Sequence, residues 1–103
     1  MIEYLKGEIT ELDPTKAIIE CAGVGYECNI SVYTYDKLRT GQVFKLYIDE
    51  SIREDAHLLY GFISKQERAI YRLLISVSGV GPNTARCIQS SLSPDELVAV
   101  IST

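Results

Sequence analysis

Within His57-Leu58-Leu59-Tyr60-Gly61-Phe62-Ile63-Ser64-Lys65-Gln66-Glu67-Arg68-Ala69-Ile70 the spacing of apolar residues changes character. Ala56 to Phe62 is a short apolar run rich in β-formers, which reads as a strand. Ser64-Lys65-Gln66-Glu67 then has the S-x-x-E form of a capping box, and Ala69, Ile70, Leu73, Leu74 and Val77 follow at helical spacing. Upstream of this point everything reads as β. Ile2 to Ile9 is a strand, Asp13-Pro14-Thr15-Lys16 a turn, and Ala17 to Cys21 a second strand. Ala22-Gly23-Val24-Gly25 turns the chain again, and Tyr26, Cys28 and Ile30 alternate with polar residues in a third strand. Ser31 to Leu38 is a short helical connector, Gly41 breaks it, and Val43 to Ile48 is the fourth strand. Five strands with a helical insert after the third is the order of an OB-type β barrel, predicted over residues 1–63.

Downstream everything reads as α. Ser78-Gly79-Val80-Gly81 ends the first long helix, because closely spaced glycines supply backbone conformations that other residues resist. Pro82 suits the first position of a second helix, which Ala85 and Ile88 continue. Ser93-Pro94-Asp95-Glu96 is another S-x-x-E box, opening a third helix with no stop signal. Residues 64–103 are thus an all-α piece at the limit of what folds alone, which either packs on the barrel or belongs to a longer polypeptide, the second being expected.

With 103 residues, 47% apolar and 23% charged, the composition is that of a globular protein and excludes disorder, collagen and a disulfide scaffold. Apolar runs of a few residues fall far short of a membrane span, and no secretion signal is read, so a soluble cytoplasmic protein is expected. Cys21, Cys28 and Cys87 are odd in number, lack CxxC spacing and accompany a single histidine. Buried reduced thiols are expected, with no metal site. Residues 1–63 carry 6 Lys+Arg against 11 Asp+Glu, and residues 64–103 carry 4 against 3. Bulk charge thus argues against nucleic acid, and any case for it rests on local chemistry.

That local chemistry lies in Ser78-Gly79-Val80-Gly81-Pro82-Asn83-Thr84. A glycine-bracketed turn opening a helix offers main-chain amides without intrahelical partners, and the helix dipole favours an anion there by about 0.3 to 1 kcal/mol. Gly79, Val80, Gly81, Asn83 and Thr84 are the candidate phosphate-binding residues. A dinucleotide fingerprint fails because its third glycine is Thr84 and a helix precedes it; a plain helix-helix corner would need only one glycine.

Glu54 and Asp55, between the fourth and fifth strands, read either as a solvated hairpin tip or as paired carboxylates. Neighbours on a strand point to opposite faces and no further ligand lies at useful spacing, so neither catalysis nor metal binding is expected. His57 has no nucleophile partner. No P-loop is present, so ATP hydrolysis would fall to another protein.

Met1 to Phe62, with Ile52-Arg53-Glu54-Asp55-Ala56-His57-Leu58-Leu59-Tyr60-Gly61-Phe62 closing it, followed by Lys65-Gln66-Glu67-Arg68 and Ser78-Gly79-Val80-Gly81-Pro82, closely resembles the RuvA family of Holliday-junction-binding subunits of bacterial branch-migration complexes. The resemblance implies an OB barrel followed by two helix-hairpin-helix motifs, of which this chain holds the first, and a later small domain contacting a RuvB-type ATPase motor. It also implies a homotetramer on four-way junction DNA, no catalysis and no cofactor. Glu54 and Asp55 match the family's acidic pin, at the point where strands separate. Asn83 stands where family members often carry Lys, which lowers the hairpin's own charge. Two rivals remain beside this reading. A helix-hairpin-helix DNA glycosylase would need a catalytic acid, for which only Asp95 and Glu96 follow the hairpin. A general single-stranded-DNA-binding OB module would stack bases on Tyr4, Tyr26, Tyr33, Tyr35 and Tyr47.

Overall fold

The computed structural model describes residues 1–101. Five strands, β1 (Tyr4–Leu12), β2 (Lys16–Cys21), β3 (Val24–Asn29), β4 (Val43–Ile52) and β5 (His57–Phe62), close a barrel in the order β1-β2-β3-β5-β4. All neighbours run antiparallel except β3 and β5, which pair in parallel through Cys28 and Asn29 against Leu59 and Tyr60. The helix α1 (Val32–Lys37) sits between β3 and β4, and α2 (Lys65–Ile75), α3 (Pro82–Ser91) and α4 (Pro94–Ile101) follow. This is the OB-like barrel and helical region expected from the order of elements.

The long first strand serves two neighbours. Its first half pairs with β4 and its second with β2, and the register slips between Ile9 and Glu11. Such a bulge bends a strand, which barrel closure requires. Gly7 sits at the crowded corner: a Cβ there would lie 2.0 Å from the Glu20 carbonyl oxygen, so only glycine fits. The barrel is filled by Ile9, Ala17, Ile19, Cys28, Ile30, Leu38, Leu46, Ile48 and Leu59.

Burial runs without alternation from Leu59 to Phe62 in β5. Leu59 belongs to the barrel core, whereas Tyr60 and Phe62 join Tyr71 of α2 and Ala85 of α3 in a second core. A strand covered on both faces needs an unbroken apolar run, which explains Leu59 to Phe62. Tyr60 and Tyr71 stack with centroids 5.5 Å apart, and Phe62 lies 4.9 Å from Tyr71, contacts worth about 0.5 to 1.5 kcal/mol each beyond area burial. The helices thus pack on the barrel.

Polar contacts seal the same joint. Arg68 is buried, donating from Nη1 to the carbonyls of Glu3 and Ile48 and from Nη2 to the Glu3 carboxylate at 2.7 Å. Ser64 caps α2 by accepting from the Glu67 amide at 3.1 Å. The reciprocal half of that capping box is absent, because the Glu67 side chain turns inward to the hydroxyls of Ser31 and Thr34. In the second box both halves form, Ser93 Oγ with the Glu96 amide at 3.2 Å and Glu96 Oε1 with the Ser93 amide at 3.0 Å.

The fourth strand extends past the expected Ile48 to Ile52, despite its polar sequence. Asp49 is paired with Arg72 at 2.8 Å, and Glu50 accepts from the Ile2 amide and pairs with His57. Cys28 is buried, and burial pushes its thiol up to about 12. Cys21 is half-buried and Cys87 is exposed, which corrects the expectation of three buried thiols: Cys87 lies on the outer face of α3.

Candidate nucleic-acid interface

After Ile75 the backbone leaves the helix through Ser76, whose amide and hydroxyl both donate to the Leu73 carbonyl. Gly79 adopts φ +85°, the left-handed region that other residues resist. Gly81, at φ −92°, caps the start of α3 in an extended conformation open to any residue. The expectation that both glycines serve backbone conformation therefore holds for Gly79 alone. A Cβ on Gly81 would meet nothing within 4 Å, so its bareness matters only to something approaching from outside.

No side chain caps α3. Pro82 has no amide proton, and the first helical bond runs from the Ala85 amide to the Gly81 carbonyl at 2.9 Å. Among the described residues, no protein acceptor meets the amides of Gly79, Gly81, Asn83 and Thr84. Val80 differs from the sequence expectation. Its amide donates to the Val77 carbonyl at 3.1 Å and its side chain packs against the core of Tyr60, Phe62, Tyr71 and Ala85. It holds the turn in shape rather than offering a donor.

Glu54 and Asp55 form the tip of the β4–β5 hairpin, closed by the Arg53 amide donating to the Ala56 carbonyl at 2.7 Å. Both are exposed, and among the described residues neither joins an ion pair. The fold brings the base of this hairpin, at Arg53, and the α3 start to one cleft. A cleft of about 200 Å³ is lined by Asn29, Arg53, Leu58 and Tyr60 on the barrel side and by Pro82, Asn83 and Arg86 on the helical side. Neither Arg86 nor this shared cleft was readable from local sequence.

The family described as RuvA N terminal domain matches residues 1–61. The chain belongs to this family. A protein named Holliday junction branch migration complex subunit RuvA from Parabacteroides distasonis is 63% identical over 101 residues, covering 98% of this chain and 52% of that protein. Proteins of the same name from Bacteroides fragilis and Porphyromonas gingivalis are 62% and 55% identical over 103 residues, covering 100% of this chain and 51% of each protein. The chain spans about half the length of the curated relatives it matches. The RuvA N-terminal match ends inside β5, whereas the alignments to the RuvA relatives run on through the glycine turn and α3.

The features that the two rival readings need are differently placed. Glu96 is engaged with Ser93 as a helix-start residue. Of the five tyrosines, only Tyr4 is exposed, at 48%, and Lys45 lies 4.0 Å above its ring. Among the described residues, no cluster of His, Cys, Asp or Glu could hold a metal ion, and no helix is long and apolar enough to cross a membrane.

Proposed function

We propose that this chain is the barrel and first-hairpin part of a bacterial, cytoplasmic protein that binds four-way DNA junctions by their architecture, independent of sequence. Residues 1–63 supply the OB barrel with its acidic tip, and residues 64–103 supply the helix-hairpin-helix grip. The observation that carries this reading is the uncapped start of α3 beside Gly79, where four main-chain amides have no protein acceptor among the described residues. Phosphate held by main-chain amides carries no base information, as a junction of arbitrary sequence demands.

Glu54 and Asp55 act by repulsion. One carboxylate facing one phosphate at 4 Å costs about 1 kcal/mol in water, and the cost rises where several such pairs meet in a partly desolvated centre. In a homotetramer four tips converge, disfavouring a continuous duplex at the crossover and holding the junction open for branch migration. A separate RuvB-type ATPase, engaged through a part of the protein beyond this chain, supplies the motion. The chain itself performs no bond chemistry and takes no cofactor.

The test is binding of the full-length protein to four-way, forked and linear DNA across a salt series. Preference for the four-way form, abolished by Gly79→Val in a folded protein, is expected. Equal affinity for all three forms, or unchanged binding by the variant, would reject the reading.

A further inference from the structure

The cleft between Arg53, at the base of the β4–β5 hairpin, and the start of α3 has a polarity that the chain as a whole lacks. Its lining contains two arginines and two asparagines and no carboxylate, although the chain carries 14 carboxylates against 10 Lys and Arg. Among the described residues, neither Arg53 nor Arg86 forms a salt bridge. Arg86 is poorly saturated. Its Nη2 donates to Asn83 Oδ1 at 2.7 Å, but its Nη1 reaches the Thr15 and Ile30 carbonyls only at 3.3 and 3.4 Å, and its buried Nε has no partner. The guanidinium carbon sits 5.9 Å from the centre of the Tyr60 ring, within reach of a cation–π contact. Because Asn83, which lines the cleft, accepts through its oxygen, its side-chain amide nitrogen has no protein acceptor among the described hydrogen bonds.

Two guanidinium groups sharing a cleft with no counter-charge repel each other, and an oxyanion relieves both at once. We infer that this cleft binds one backbone phosphate of the nucleic acid, shared by Arg53 and Arg86 with the Asn83 amide as a neutral donor. It adds side-chain donors beside the main-chain amides of the hairpin, and Asn83 belongs to both. Arg53 adjoins Glu54 in sequence, so a phosphate held here fixes how far the strand stands from the repelling tip. The inference rests on the junction-binding reading and names the side chains that supply its cationic part.

The experiment compares four-way junction affinity, by fluorescence anisotropy, for the full-length protein and its Arg53→Gln, Arg86→Gln, double and Arg39→Gln forms. Arg39 is an exposed cation outside the cleft and reports bulk charge. Each cleft variant should weaken binding about tenfold, the size of one charge-assisted hydrogen bond. The double variant should fall well short of the product of the two losses, since both arginines serve one phosphate. Arg39→Gln should stay within about twofold. A folded Arg53→Gln with unchanged binding, fully multiplicative losses, or an equal loss in Arg39→Gln would overturn the inference. If Arg86→Gln lowers the melting temperature, Arg53→Gln alone decides. Gly79→Val reports on the underlying reading independently: lost binding there with intact binding in Arg53→Gln rejects the cleft and keeps the hairpin.

Discussion

Ser31, at the start of α1, donates its hydroxyl to Glu67 of α2 at 2.5 Å, and Thr34 donates to the other carboxylate oxygen. Glu67 is 1% exposed, and its main-chain carbonyl accepts from Gln89 of α3 at 2.8 Å. One buried acidic residue therefore ties the barrel's helical insert to both helices of the hairpin. No cation balances it among the described ion pairs, and burial holds its carboxyl above the usual range, partly offset by the two hydroxyls.

A raised carboxyl pKa means that the folded protein binds more protons than the unfolded chain in the window between the two values. Glu67's contribution to stability is thus full below the unfolded value of about 4.3 and declines as pH rises through the folded one. Glu67→Gln removes this decline. In urea titrations at several pH values, the variant's stability relative to the parent should improve as pH rises from mildly acidic to neutral; a constant difference would show that Glu67 does not titrate in that window.

Gly7 leaves no room for a side chain against the Glu20 carbonyl. Gly7→Ala must push β1 from β2 at the barrel corner and should cost about 3 kcal/mol, read as a lower urea midpoint. A midpoint equal to the parent's would mean that the corner opens freely.

Ala22 and Gly23 both have positive φ, 51° and 83°, as a two-residue hairpin turn between β2 and β3 demands. Alanine tolerates this conformation poorly, and asparagine better. Ala22→Asn should stabilise the protein by about 0.5 to 1 kcal/mol and raise its melting temperature by a few degrees; a lower one would contradict the turn geometry.

Replacing Glu54 with Gln and Asp55 with Asn removes both tip charges while keeping size. Affinity for linear duplex should then rise relative to the four-way junction in competition binding. A constant ratio would remove the tip from discrimination.

The order of strands and helices was legible because each depends on local spacing: alternation around Cys28, the turn at Asp13-Pro14, the helical pattern after Ser64. The glycine turn was legible for the same reason. What escaped were partners distant in sequence. Glu67 has the form of a capping residue, yet its partners lie 36 and 33 positions away. Arg86 looks like an ordinary helix-surface cation, and only folding sets it over Tyr60 and opposite Arg53. The polar end of β4 read as a loop because the pairing of Asp49 with Arg72, and of Glu50 with His57, has no local trace.

β5 faces the barrel with Leu59 and the helices with Tyr60 and Phe62, and it begins directly after the acidic tip. The same strand is thus a stiff strut between the part that would grasp DNA and the part that would repel it. The stacked rings of Tyr60 and Tyr71 join that strut to α2, so the hairpin tip and the helix that leads into the glycine turn share one rigid support.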